Sequence, residues 1–185
     1  MSNVELTDVK TLRERARQHV EQGAVTEGYH ADRTEILRLL NESLATELVC
    51  VLRYKRHYFM AEGIKANVAA EEFLEHANQE MEHADKLAER ILFLEGLPNF
   101  QALGKLKIVE NPREVLNCDL ALELEAVPLL REAIKYCETV GDYNSRKLFA
   151  DILDSEEEHI DWIETQLSLI ERLGEQNYLQ TKIGS

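Results

Sequence analysis

From Thr34 onward the apolar residues Leu37, Leu40, Leu44, Leu48, Val51 and Tyr58 recur at helical spacing. That rhythm predicts a helix to about Ala61, closed by Glu62-Gly63. A second helix is predicted from about Asn67 to Glu95, where Gly96-Leu97-Pro98-Asn99 supplies the usual glycine-then-proline stop. The stretch that follows, to Pro112, carries Gly104 and has no helical period. It is too long for a turn between neighbouring helices, so it should cross the length of a bundle. A third helix is predicted from about Pro112 to Thr139, and Val140-Gly141-Asp142 links it to a fourth, from about Tyr143 to Leu173. Gly174 then leaves EQNYLQTKI for a brief fifth helix.

Two helical hairpins joined by one long crossover make an all-α, antiparallel four-helix bundle with a short C-terminal helix. Residues 8–22 (DVKTLRERARQHVEQ) read as a short polar helix and Gly23–Asp32 as a linker. The expected organisation is an N-terminal extension, 1–32, ahead of one domain, 33–185.

Composition agrees with one helical domain: 44% of the residues are hydrophobic, enough for a core, and only eight glycines and three prolines interrupt the chain. A net charge of −14 attracts metal cations and repels phosphate backbones, which argues against nucleic acid as a partner. The opening residues lack the apolar core of a secretory signal, and no run of about 18 uncharged apolar residues occurs, so a cytoplasmic location is expected. Cys50, Cys118 and Cys137 are odd in number and widely spaced, and they read as buried thiols.

The chemistry lies in acids that interrupt apolar stripes. Glu47 stands among Leu40, Leu44, Val51 and Tyr54, and Glu123 at the same offsets among Leu116, Leu120, Val127 and Leu130. Glu80 is in line with Phe73, Ala77, Ala84 and Leu87, and Glu156 with Phe149, Ile152, Leu153, Ile160 and Ile163. Glu80 and Glu156 each open a Glu-x-x-His, with His83 and His159, a spacing that puts carboxylate and imidazole on one helix face. Glu27-x-x-His30 also satisfies this short motif, in the linker.

The interval from Glu47 to Glu80 equals that from Glu123 to Glu156, so the chain repeats Glu…Glu-x-x-His once in each hairpin. Antiparallel pairing brings the members of each set to one level, and pseudo-twofold pairing of the hairpins brings all six together. Four core carboxylates need cations or protons. Carboxylates with one imidazole per metal suit iron or manganese better than a closed zinc site.

At these residues the sequence resembles bacterioferritin, a member of the ferritin superfamily, from about Thr34 to the C-terminus. HADKLAERILFLEGLPNFQALGKLKI, CDLALELEA and EEEHIDWIETQLSLIERLGEQNYLQTKI carry the likeness. It implies a ferritin-like bundle in which Glu47, Glu80 and His83 hold one iron and Glu123, Glu156 and His159 the other, with Glu80 and Glu156 bridging. Tyr54 falls where the family places a tyrosine beside the di-iron site. The likeness also implies a hollow shell of 24 subunits, meeting at fourfold axes through EQNYLQTKI, that oxidises Fe(II) with O2 or H2O2 and stores the mineral.

Met81 occupies the family's position for an axial ligand of haem b, although Lys55, Asn78 and Glu82 would make its surroundings polar. The first helix, with CVLRYKRHYFMAEGI, and the extension look more like smaller bacterial ferritin-like proteins. Pro128 should kink the third helix near Glu123, and Cys50, close after Glu47, could approach the metals. Two other functions fit the same fold. A DNA-protecting mini-ferritin of 12 subunits would use Lys10, Arg13, Arg15 and Arg17, but Glu5, Asp8, Glu14 and Glu21 offset these cations. A di-iron or di-manganese peroxidase would turn over peroxide and retain no mineral.

Overall fold

The computed structural model describes Tyr29 and residues 31–184. The predicted helix at 8–22, the basic residues of the extension and the Glu27-x-x-His30 motif lie outside the described residues. Among the described residues five helices follow one another: α1 (Arg33–Gly63), α2 (Asn67–Phe93), α3 (Pro112–Val140), α4 (Tyr143–Leu173) and α5 (Glu175–Thr181). Among the described residues the chain forms no strand. No described helix is long and apolar enough to cross a membrane.

Helix starts follow local chemistry. Asp32 caps α1 by accepting from the Thr34 backbone N–H. Asn111 caps α3 ahead of Pro112, whose missing N–H costs nothing in a first turn. Asp142 caps α4 through the Ser145 N–H and also accepts from Arg90 and from the Tyr29 hydroxyl, which ties the start of α4 to α2.

The α1 and α2 hairpin packs against the α3 and α4 hairpin, and α1 lies antiparallel to α3. Residues 94–111 form the crossover, which runs along α1 in the direction of that helix. Asn41 accepts from the Asn99 N–H, Arg53 donates to the Lys105 carbonyl, and Arg56 donates to the Val109 carbonyl. Three polar side chains on α1 thus supply partners that a solvent-side strap lacks internally.

Apolar packing divides into two blocks. One joins Leu40, Leu44, Leu87, Ile91, Leu130, Phe149 and Ile152 near the start of α1. The other joins Tyr54, Phe73, Ala77, Leu116, Ile163, Ile170 and Tyr178 at the opposite end. Between the blocks lies a layer of buried Glu47, Glu80, His83, Glu123, Glu156 and His159. Of the stripe predicted for α1, Leu37 and Tyr58 are only half-buried, while Ile36 and Leu39 are fully enclosed.

The helix predicted to end at Glu95-Gly96 ends at Phe93, and Glu95 itself takes the left-handed conformation, with φ 61°. Gly96 serves another purpose: a Cβ there would crowd the Leu37 and Ile91 side chains. α3 continues unbroken through Pro128, whose ring is on the exposed face. Glu123, five residues earlier, is fully buried.

Candidate metal centre

Four helices each place one glutamate in the polar layer: Glu47 from α1, Glu80 from α2, Glu123 from α3 and Glu156 from α4. His83 and His159 join them one turn after Glu80 and Glu156. The donor atoms form two groups, each with all members within 4.8 Å of one another. Glu47, Glu80, His83 and Glu156 make one group, and Glu80, Glu123, Glu156 and His159 the other. All six residues picked out from the sequence are therefore assembled in one chain.

Glu80 and Glu156 belong to both groups, and their individual oxygens explain how. Glu80 Oε2 stands 3.4 Å from His83 Nδ1 while its Oε1 stands 3.0 Å from His159 Nδ1. Glu156 repeats the arrangement, with Oε1 at 3.7 Å from His83 and Oε2 at 3.3 Å from His159. Glu47 lies only on the His83 side, at 3.1 Å, and Glu123 on the His159 side, at 4.0 Å.

Many of these close approaches are not hydrogen bonds. Among the described residues Glu80 Oε1, Glu123 Oε2, both oxygens of Glu156 and His159 Nδ1 are buried without a hydrogen-bond partner. Orphaned polar atoms in a core are costly, and here they converge on common points. A cation between them would satisfy several at once, so the donor set fits a pair of metal ions.

Electrostatics carries the same message. Burial raises the Glu47 and Glu123 carboxyls well above the ordinary range, and Glu80 and Glu156 respectively push them further. Burial and the charge of Glu123 raise Glu80. Burial, with Glu80 and Glu47, lifts Glu156 to about 7. Burial opposes charge on the His159 imidazole, but the nearby oxygens of Glu156 and Glu80 outweigh it and lift the group to about 11. Without a cation the layer holds protons in its place.

Tyr54, expected beside the site, donates from its hydroxyl to Glu123 Oε1 at 2.5 Å. Its own pKa is pushed well up by burial and by Glu123, so the phenol stays protonated as a donor. Cys50 is buried, and burial with Glu123 and the other acids holds its thiol protonated. Met81, next to Glu80, is 42% exposed and faces away from the layer.

Two neighbours escaped the sequence reading. Gln79 Oε1 accepts from His159 Nε2 at 2.8 Å, which turns Nδ1 toward the centre. His76 stacks on His159 with ring centroids 4.2 Å apart, and burial followed by the charge of His159 lowers it to about 3. A neutral ring beside His159 is the consequence. His76 shares a helix face with Glu80 and could have been picked out; nothing in the sequence marks Gln79.

An antiparallel bundle with one long crossover, carrying four glutamates and two histidines in its core, is a ferritin-like protein. The family model for the ferritin-like domain matches residues 37–173. The chain is 44% identical to the bacterioferritin of Rhodobacter capsulatus, over 78% of this chain and 89% of that protein. It is 40% identical to that of Brucella melitensis, over 79% and 91%, and 41% identical to that of Mycobacterium leprae, over 78% and 91%. This chain belongs to the bacterioferritin family.

Proposed function

We propose that the chain is a ferroxidase and iron-storage subunit that oxidises two Fe(II) at a di-iron centre within each bundle. Glu47 and His83 hold one iron, Glu123 and His159 the other, and Glu80 and Glu156 bridge. The observation that carries this reading is the division of oxygens within Glu80 and Glu156, one turned to each histidine.

Charge explains why such a site would turn over. Four carboxylates neutralise two Fe(II), so the buried layer becomes neutral on loading. The irons supply two electrons, enough to reduce O2 to H2O2 or H2O2 to water. Oxidation leaves the layer with excess positive charge, which favours passing Fe(III) on to the mineral. Tyr54 holds Glu123 by its hydroxyl and Gln79 fixes the His159 tautomer, so both ligands are oriented before iron arrives.

The proposal includes a cytoplasmic shell of 24 copies, supported by the retained helix α5. Because all six donors come from one chain, a 12-subunit mini-ferritin with ligands between subunits is disfavoured. Sedimentation of the assembled protein distinguishes the two sizes. Haem b is matched only in part. Met81 offers an exposed thioether, yet Asn78 and Glu82 beside it are exposed polar groups. The proposed oxidation therefore runs through the carboxylate centre alone.

The test adds about two Fe(II) per subunit to apo-protein in air and follows ultraviolet absorbance. Rapid oxidation by wild type and its loss in a Glu47→Ala, Glu123→Ala double variant is the expected result. Equal, slow oxidation in both overturns the proposal. A peroxidase without storage is separated by the amount of iron retained after many additions.

A further inference from the structure

The two halves of the centre have matching donors but unlike surroundings. On one half, residues outside the six of the polar layer hold both unshared ligands. Tyr54 donates to Glu123 Oε1 at 2.5 Å, and Gln79 accepts from His159 Nε2 at 2.8 Å. His76 lies along the His159 ring, with centroids 4.2 Å apart and planes at 26°. It is itself held by edge contacts with Tyr54 and Trp162, at 5.1 and 5.0 Å. On the other half this support is missing among the described residues. The hydrogen bonds of Glu47 and of His83 Nδ1 stay within the six, and no aromatic ring packs on His83. His83 is also 8% exposed, against 2% for His159.

We propose that the two metal positions are unequal: the one held by Glu123 and His159 binds a divalent ion first and more tightly, and the one held by Glu47 and His83 fills second. This rests on the di-iron reading and adds an order of filling to it. The physical reason is preorganisation. A ligand already fixed in its binding orientation loses little freedom when the metal arrives, and contacts that fix a ligating histidine typically govern about 10–100-fold in affinity. His76 and Gln79 are thus positioning residues for one ion of the pair. The shared acids favour neither position, since Glu80 and Glu156 each turn one oxygen to each histidine. Burial opposes a proton on His159, while Glu156 and Glu80 favour it. A metal at either position engages both acids, so that proton is lost whichever position fills first.

The probe is Co(II), added to assembled, metal-free protein at one fixed pH and followed by its visible absorption against a competing chelator. Two variants each keep one position complete. Glu47→Ala should bind its first Co(II) at least about tenfold more tightly than Glu123→Ala. Adding His76→Ala should weaken the Glu47→Ala protein about tenfold and leave the Glu123→Ala protein unchanged. His76→Phe, which keeps a flat ring against His159, should preserve the tight binding. Equal first affinities in the two single variants, or the reverse order, overturn the proposal. So does an equal effect of His76→Ala in both backgrounds, which would mark a general packing defect. If either glutamate variant does not fold, His76→Ala in the otherwise unaltered chain decides: its first Co(II) should bind about tenfold more weakly, and an unchanged first affinity overturns the proposal. The ferroxidase reading fails separately, by the absence of rapid Fe(II) oxidation in wild type, whatever the order of Co(II) filling.

Discussion

Gln79 acts on the centre without touching it. By accepting from His159 Nε2 it fixes both the ring and its tautomer, and such outer contacts typically govern about 10–100-fold in metal affinity. Gln79→Leu should therefore weaken binding of a spectroscopic divalent ion such as Co(II) by about that factor, while His83 continues to ligate. A chelator competition measures it, and an unchanged affinity would show that packing against His76 alone orients His159. The contrast with the six donors is instructive. Each glutamate interrupts an apolar stripe and each histidine follows one in a Glu-x-x-His, whereas Gln79 is half-buried at the edge of the layer and matters only through a partner eighty residues away.

Local signals placed the helices well but assigned some of their punctuation to the wrong cause. Gly96 read as a stop signal, yet Glu95 makes the left-handed turn and Gly96 makes room for Leu37. Gly96→Ala should destabilise the fold by about 1–3 kcal/mol through overpacking, seen as a lowered denaturation midpoint, with little change if Leu37 can swing aside. Pro128 shows the converse. Its ring faces solvent on a helix that stays continuous, so the missing N–H is the main defect. Pro128→Ala should stabilise α3 by up to about 3 kcal/mol and leave iron oxidation unaltered. A fall in oxidation rate would mean instead that the proline shapes the approach to Glu123. The crossover illustrates what an element borrows from its neighbours: its length was evident from the missing period, but its path depends on Asn41, Arg53 and Arg56.

For the whole molecule, a polar layer between two apolar blocks makes folding depend on how the layer's charge is neutralised. Glu47, Glu80, Glu123 and Glu156 all have raised carboxyl pKa values in the fold, so the folded protein holds protons that the unfolded chain releases. Their contribution is fully present below the ordinary value of 4.5 and is lost as pH rises, through about 7 for Glu156. His159, lifted to about 11, acts in the same direction above its ordinary 6.5. Metal-free protein should therefore lose stability between pH 5 and pH 8, and a Glu47→Gln, Glu123→Gln variant should lose less. Urea midpoints at the two pH values decide this; parallel shifts in both proteins would place the titration elsewhere. Sequence alone determined the five helices of the described residues, the two-hairpin order and the six residues of the polar layer, because hydrophobic period and buried charge are properties of neighbouring positions on one helix. Which oxygen of Glu80 or Glu156 faces which histidine, the grip of Gln79 and the stacking of His76 on His159 were decided only by the tertiary structure. Each depends on side chains from different helices meeting at ångström distances, and no spacing along one helix records that.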